Sequence, residues 1–202
     1  MTRRQPEPHD MLHLDDSLLI GQGSERACFR HPNDDGLCIK ITHRNKSRRS
    51  QNARDHAYYK KLEKRDIAWT YLPRMHGWVM TDRGEGLVLD LMQDRDGKPL
   101  DTLKHLLARR EVHYADIAPE LERFHRYLLD NRIFTSDLRD SNIACDMTRA
   151  DSPRLYLIDG LGDHDFIKLA AIVPMLGRSK VQRQWAHFMK RMAKWREAAV
   201  GN

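Results

Sequence analysis

Two aspartates and an asparagine that lie close together in the chain could bind a metal ion. Asp137 and Asn142 are five positions apart in the segment FTSDLRDSNIAC, and Asp159 follows a short apolar run twenty-two positions after Asp137. Carboxylate and carboxamide oxygens are hard ligands, which suit Mg²⁺ better than thiol or imidazole groups do. The alternative is a polar loop in which Asp and Asn form ordinary turns. The order of helix, loop and strand ending in Asp159 favours the metal site.

Two features nearer the start of the chain could bind phosphate. The segment GQGSER, which begins at Gly21, follows an apolar run, and its glycines could let backbone N–H groups approach phosphates closely. An ordinary hairpin that contains glycines is the alternative. Lys40 lies in the apolar segment LCIKIT, where alternation places it on one strand face with Cys38 and Thr42. The pattern leaves open whether this face is exposed or forms a cleft.

The periodicity predicts a β-rich first lobe. Strands begin near Leu18, and Asp35–Gly36 indicates a hairpin turn between apolar segments. A helix is predicted over 48–65, and two further strands are separated by a turn at Arg83–Gly86. This order of two strands, a helix and two strands predicts a small antiparallel sheet.

The second half of the chain is predicted to be mainly helical. Helical segments are expected over 96–110 and 113–132, and a basic amphipathic helix is expected over 178–198. The predicted α+β fold has a flexible N-terminus (1–13), an antiparallel β-rich lobe (14–92) and a truncated helical lobe (93–202). The apolar faces of the last two helices would consist of Ile117, Leu121, Phe124 and Leu128, and of Trp185, Phe188, Met192 and Trp195.

Composition restricts the class of protein without choosing a function. The 202 residues carry a formal net charge of +6, which permits binding to nucleotides, nucleic acid, anionic lipid or an acidic partner. The three cysteines lack zinc-ligand spacing, which is typical of reduced thiols in a cytoplasmic protein. The sequence has neither a secretory signal pattern nor a run of roughly 18 apolar residues, so we predict a soluble protein.

Four motifs in order resemble those of protein-kinase-like enzymes. SDLRDSNIA is similar to their catalytic loop, LIDG to the metal-binding Asp-Gly pair, IGQGSERACF to the glycine-rich loop, and LCIKI to the strand with the phosphate-binding lysine. More narrowly, CIKI, YYKKL, DGKPL, YLLDNRI and SNIAC resemble the small bacterial YrbL family, described as members of the PhoP regulatory network. The resemblance extends from about Ile20 to Asp165 and implies a two-lobed kinase-like fold.

The resemblance implies an ATP- and Mg²⁺-dependent transferase that moves the γ-phosphoryl group to an unidentified hydroxyl acceptor. The hinge near Leu89–Met92 would bind adenine through its backbone, and Ile20 and Ile158 would form the apolar clamp. Asp55 would be the partner carboxylate of Lys40. The implied catalytic residues are Asp137, Arg139 and Asn142; the metal ligands are Asn142 and Asp159; the nucleotide-binding residues are Ile20, Gly21, Gly23, Ser24, Lys40, Asp55, Asp90, Leu91 and Met92.

The sequence departs from the kinase pattern at several positions. Asp55 is one methylene shorter than the usual Glu, and Arg26 replaces the third glycine of the loop, where it would contact phosphate or face water. Thr135 and Ser136 replace the His-Arg pair that normally braces the catalytic loop. Only 43 of the 202 residues follow Asp159, so we expect no full activation segment. A pseudokinase-type module that binds nucleotide or a protein partner in a PhoP-type network is the alternative function.

Two segments of the sequence are rich in Lys and Arg and could bind anionic partners. Residues 43–54 carry positive charge without an acid, and they would attract anions at the mouth of the nucleotide cleft or form a solvated loop. The basic C-terminal helix could contact anionic lipid or nucleic acid, but tryptophans at helical spacing are more typical of a core. Nucleic acid binding is not expected, because no known reading motif is present.

Overall fold

The chain divides into two units, which the computed structural model describes over residues 11–43, 51–148, 152–162 and 174–200. Unit 1 consists of Met1–Asp66 and Pro73–Gln93, and unit 2 of Ile67–Leu72 and Asp94–Asn202. The segment Ile67–Leu72 lies within the predicted first lobe but belongs to unit 2. The expected α+β class with an antiparallel sheet is confirmed.

Unit 1 contains a five-stranded antiparallel sheet with the strand order β1-β2-β3-β5-β4. One helix, α1, lies between β3 and β4 in the chain. The elements are β1 (Leu19–Gln22), β2 (Arg26–His31), β3 (Asp34–Thr42), α1 (Gln51–Glu63), β4 (Met75–Thr81) and β5 (Gly84–Asp90).

The first hairpin turn was predicted at the wrong position, and the second begins one residue earlier than predicted. Pro32–Asn33 joins β2 to β3, so Asp35–Gly36 lies within β3. Proline sets the φ angle that the first central position of a common turn needs, which makes it the stronger turn signal here. Asp82–Arg83 joins β4 to β5, and Gly84 has the positive φ of +111°. A Cβ on Gly86 would lie 2.4 Å from Cγ2 of Ile39, so this glycine permits close packing within the sheet.

The two faces of the sheet in unit 1 have different coverings. One face forms a buried apolar core. Lys40 points to the opposite face with Cys38, where α1 contacts β3 and leaves Lys40 only 8% exposed. The strand face that carries Lys40 is therefore covered and not exposed to solvent, which the alternating pattern of the sequence could not decide. The core residues are Leu14, Ala27, Phe29, Ile39, Ile41 and Val88.

The described residues of unit 2 form three α-helices and a two-stranded antiparallel hairpin. In the helix Tyr114–Asp130, the residues that periodicity placed on one face are all buried. The last helix, Pro174–Val200, packs on it through Trp185, whose ring centroid is 6.2 Å from that of Phe124 and 4.3 Å from that of His125, on which it stacks. Burying a Leu, Ile or Phe side chain stabilises a fold by roughly 1.5–3 kcal/mol, so this contact anchors the last helix. The elements are α2 (Leu103–Ala108), α3 (Tyr114–Asp130), β6 (Ile143–Asp146), β7 (Arg154–Leu157) and α4 (Pro174–Val200).

None of the helices formed by the described residues combines the length and apolar character needed to cross a membrane.

Candidate functional site

The hairpin β6–β7 brings the two halves of the predicted metal site together within unit 2. Asn142 immediately precedes β6, and Ile158 immediately follows β7. Ile143 pairs with Leu157, and the N–H of Ile158 donates to the carbonyl oxygen of Asn142 at 2.9 Å. Segments that are separated in the chain by the hairpin therefore leave it side by side, with the loop containing Asp137 next to Asp159.

Gly160 holds these two segments in close contact. Its carbonyl oxygen accepts hydrogen bonds from the N–H of Ser136 at 2.8 Å and of Asp137 at 3.4 Å. Its φ is +76°, and a Cβ at this position would lie 2.4 Å from the carbonyl oxygen of Asp137 and 3.0 Å from Nδ2 of Asn142. Both the positive φ and the lack of space require glycine. The glycine of the LIDG motif is thus explained by the approach of the Asp137 loop.

The side chains of the loop interact with one another. Nδ2 of Asn142 donates to the carbonyl oxygen of Asp137 at 2.8 Å and to its Oδ2 at 3.4 Å. This orientation leaves Oδ1 of Asn142, which lies 3.5 Å from the Ser141 hydroxyl, as the amide atom that could bind a cation. Nη2 of Arg139 lies 2.6 Å from Oδ2 of Asp137, with the two side chains 50% and 33% exposed. An ion pair this exposed contributes at most about 1 kcal/mol, so a ligand could displace it.

Asp159, the second predicted metal ligand, directly precedes Gly160 in the chain. Its Oδ1 accepts a hydrogen bond from the N–H of Gly160 at 2.6 Å. Within the described ranges, no group of three or more His, Cys, Asp or Glu side chains could hold a metal ion. One carboxylate, from Asp159, and one amide oxygen, from Asn142, fit Mg²⁺, which usually keeps several waters and binds through one or two carboxylates plus substrate phosphates.

In unit 1, the glycine-rich segment spans the end of β1, where Gly21 pairs with Cys28, and the turn that leads to β2. The N–H of Gly23 donates to the carbonyl oxygen of Arg26 at 2.9 Å, and residues 21–24 are all exposed. Neither Gly21 nor Gly23 has a positive φ. A Cβ on Gly21 would meet nothing within 4 Å, and one on Gly23 would make an ordinary contact at 3.6 Å. The fold therefore does not require these glycines, and the space above them is open to a ligand. Ile20, at the start of the loop, is half-buried.

The expectation that Arg26 contacts phosphate or faces water is wrong. Its guanidinium is only 6% exposed, and Nη1 donates to Oδ2 of Asp55 at 2.7 Å and to Oδ1 of Asn52 at 3.0 Å. Nδ2 of Asn52 in turn donates to the carbonyl oxygen of Lys40 at 2.6 Å. Asp55 was predicted as the partner of Lys40, and in the structure Arg26 is a charged partner of its carboxylate. The buried cluster Arg26–Asn52–Asp55 thus joins α1 to the lysine strand.

Two backbone N–H groups of the predicted adenine-binding hinge are already bonded to other parts of unit 1. The N–H of Asp90 donates to the carbonyl oxygen of Arg74 at 3.0 Å, and the N–H of Leu91 donates to that of Gly36 at 2.7 Å. The Asp90 carboxylate accepts from the Arg74 N–H at 2.7 Å and lies 2.6 Å from Nε2 of His76. Adenine would therefore have to bind here through other backbone groups, such as those of Met92.

Four residues of α4 that sequence analysis did not connect with the site contact the Asp137 loop. The amide of Gln184 bonds to both the N–H and the carbonyl oxygen of Thr135, and Nη2 of Arg191 donates to the carbonyl oxygen of Leu138. The remaining two contacts are to the Asp140 carboxylate, with Nε1 of Trp195 at 2.8 Å and Nζ of Lys194 at 3.5 Å. The spacings between Gln184, Arg191 and Trp195 are seven and four, which place the three residues on one side of a helix. This pattern is visible in the sequence, but it does not indicate which segment the residues contact.

A family model and two individual proteins match this chain, and all three carry the same family name. The model of the family described as PhoP regulatory network protein YrbL matches residues 12–193. The YrbL protein of Escherichia coli (strain K12) is 35% identical over 186 residues, which cover 91% of this chain and 89% of the relative. The YrbL protein of Shigella flexneri has the same identity and coverage.

Proposed function

The chain belongs to the PhoP regulatory network protein YrbL family, and we propose that it is an ATP- and Mg²⁺-dependent phosphotransferase of the protein-kinase-like type. It would transfer the γ-phosphoryl group of ATP to a hydroxyl group of an acceptor. The observation that supports this proposal is the contact of Gly160, the residue after Asp159, with Asp137 and Asn142.

Each residue has a defined role in the proposed reaction. Asp137 orients the acceptor hydroxyl and accepts its proton, while Asn142 and Asp159 hold Mg²⁺. A Mg²⁺ ion held by these two residues would neutralise charge on the phosphate oxygens. Lys40 binds the phosphates, because it is on the third strand of the sheet, as the lysine is in protein kinases. The exposed segment Gly21–Ser24 covers them, with the N–H of Gly23 bonded to the carbonyl oxygen of Arg26.

The ion pair between Arg139 and Asp137 gives Arg139 a second role. While the guanidinium holds Oδ2 of Asp137 at 2.6 Å, that oxygen is occupied by a cation rather than by a hydroxyl group. Arginine binds phosphate in a bidentate manner, so a bound phosphoryl group competes for the guanidinium. The Arg139 guanidinium would then bind the transferred phosphoryl group instead of Asp137, and the Asp137 carboxylate could accept the proton.

One observation favours a second candidate, a pseudokinase-type regulatory module. The carboxylate of Asp55, at the position of the kinase partner acid, is bonded to the buried Arg26. The guanidinium of Arg26 therefore competes for the acid that active protein kinases pair with the strand lysine. A protein that binds ATP or a protein partner without transferring phosphate would tolerate this competition.

Consumption of γ-labelled ATP in the presence of Mg²⁺ separates these two functions. We expect turnover that Asp137→Asn lowers by about 10² -fold or more, because general-base catalysis contributes that much. Lys40→Met, which preserves the apolar stem of the lysine, is expected to weaken ATP binding. Asp96→Asn, an exposed aspartate of unit 2, is the matched control and should leave turnover unchanged. ATP binding without turnover in the wild type would favour the pseudokinase module.

A further inference from the structure

The helix α4 contacts the Asp137 loop along three turns with residues of one stripe. Gln184, Arg191 and Trp195 are separated by seven and four positions, so they project from the same side of the helix. An α-helix rises 1.5 Å per residue, so the stripe extends over roughly 16 Å. The contacts follow the loop in order, from Thr135 through Leu138 to Asp140.

These contacts surround the proposed catalytic aspartate without touching it. Gln184 bonds to the backbone two residues before Asp137, and Arg191 bonds to the backbone of the next residue, Leu138. Thr135 and Leu138 are buried, with exposures of 2% and 3%. A buried carbonyl or N–H group that loses its partner costs about 1–3 kcal/mol, so the loop backbone is held at both points.

A neighbouring stripe of α4 is fixed in the core of unit 2. Val181, Trp185, Phe188 and Met192 are buried, and Trp185 packs against Phe124 and stacks on His125. The helix therefore has one stripe that anchors it to α3 and an adjacent stripe that reaches the loop. Since the anchor is independent of the loop, α4 can act as a fixed support for it.

We propose that α4 positions the catalytic loop, with Gln184, Arg191 and Trp195 as positioning residues of the phosphoryl-transfer site. The inference rests on the proposed function. It also explains the departure at Thr135 and Ser136, where the His-Arg pair that braces the loop in the kinase pattern is absent. The amide of Gln184 would replace that brace from a different part of the chain.

The test compares Gln184→Ala with Gln182→Ala, which deletes the same side chain from an exposed position of the same helix, where the amide bonds to His125 and not to the loop. Displacing a catalytic group by about 1 Å can lower a rate about 10²-fold, so we expect kcat of Gln184→Ala to fall by that order. The KM for ATP should stay within about twofold, because the loop contacts do not bind the nucleotide. Gln182→Ala should behave like the wild type.

Further variants at Gln184 and Arg191 keep the test valid if Gln184→Ala folds poorly. Gln184→Glu retains an acceptor for the Thr135 N–H but loses the donor to its carbonyl oxygen, so an intermediate loss of kcat is expected. Arg191→Lys retains a donor for Leu138 and should keep more activity than Arg191→Ala, with Arg196→Ala as the exposed control. Unchanged kcat in Gln184→Ala and Arg191→Ala, or an equal loss in Gln182→Ala, would overturn the inference.

Amide hydrogen exchange distinguishes a failure of this inference from a failure of the proposed function. If the wild type shows no turnover, the proposed function fails, and the role of α4 is decided by exchange at residues 137–142. Faster exchange there in Gln184→Ala, with α3 unchanged, would support the positioning role. Exchange at 137–142 equal to that of the wild type would overturn it.

Discussion

The two predicted halves of the site are built in different ways. In unit 2, the Asp137 loop is fixed by backbone hydrogen bonds to Gly160, by the amide of Asn142 and by side chains of α4. In unit 1, the Gly21–Ser24 turn is exposed, and its glycines lack both positive φ and crowding. A glycine in the first region serves the fold, whereas a glycine in the second leaves room for a ligand. The same residue type therefore predicts opposite consequences of substitution.

The largest effect is expected for Gly160→Ala. A positive φ costs an L residue about 1–3 kcal/mol, and overpacking at 2.4 Å from the Asp137 carbonyl oxygen adds about 1–3 kcal/mol. We therefore expect the free energy of unfolding to fall by about 4 kcal/mol, as measured by denaturant titration. Gly97→Ala is the matched control, because Gly97 has φ +77° but nothing within 4 Å of its Cβ position. An equal loss in the two variants would show that crowding at Gly160 is unimportant.

The buried cluster of unit 1 should give the next largest effect. Replacing Arg26 by Ala leaves the Asp55 carboxylate in a buried position without its guanidinium, and we expect a loss of about 3 kcal/mol in the free energy of unfolding. The exposed pair of Arg54 and Glu25, at 3.7 Å, is the control. Its loss in Arg54→Ala should cost less than about 1 kcal/mol. A small effect of Arg26→Ala would mean that the cluster does not join α1 to the sheet.

Gly21→Ala tests the open region directly. Since the new Cβ meets nothing within 4 Å, the free energy of unfolding should change by no more than about 0.5 kcal/mol. ATP affinity, measured by calorimetry, should fall by about tenfold, or about 1.4 kcal/mol, because the methyl group occupies space proposed for phosphate. Reduced stability with unchanged ATP affinity would reverse the comparison between the two regions.

The smallest effect concerns the packing of α3 on α4. Burial lowers the pKa of His125 from its usual value of 6.5, although a hydrogen bond with Gln182 opposes the shift. The folded state therefore binds fewer protons than the unfolded state just below pH 6.5, and stability is lost as the pH falls through the folded-state pKa. We expect thermal unfolding to show this loss in the wild type and less of it in His125→Phe. Identical pH profiles would show that His125 does not contribute.

Local patterns predicted the elements well where one periodicity dominates. The buried face of α3, from Ile117 to Leu128, follows from apolar residues at spacings of four, three and four. Alternation in β3 correctly separated Lys40 from Ile39 and Ile41. It could not show which face α1 covers, because that depends on residues from a distant part of the chain. The first turn was misplaced because Pro32–Asn33 competes with the Asp-Gly signal three residues later.

Long-range contacts explain what the sequence did not reveal about the site. Nothing local to Arg26 indicates that it is buried against Asp55, since the two residues are 29 positions apart. Gln184 lies 49 positions after Thr135, and its amide has no sequence pattern that names a backbone partner. By contrast, Asp137, Asn142 and Asp159 were selected by motif spacing, and the β6–β7 hairpin brings their segments together. Motifs identify the chemistry of a site, but its supports depend on the tertiary fold.

Calorimetric titration with ATP in the presence and absence of Mg²⁺ tests whether Asp159 binds the metal. We expect Mg²⁺ to strengthen ATP binding by about tenfold or more, which corresponds to at least about 1.4 kcal/mol. Asp159→Asn should abolish this dependence, and the exposed control Asp96→Asn should retain it. Equal ATP affinity with and without Mg²⁺, or a Mg²⁺ effect that persists in Asp159→Asn, would contradict the assignment of Asp159 as a metal ligand.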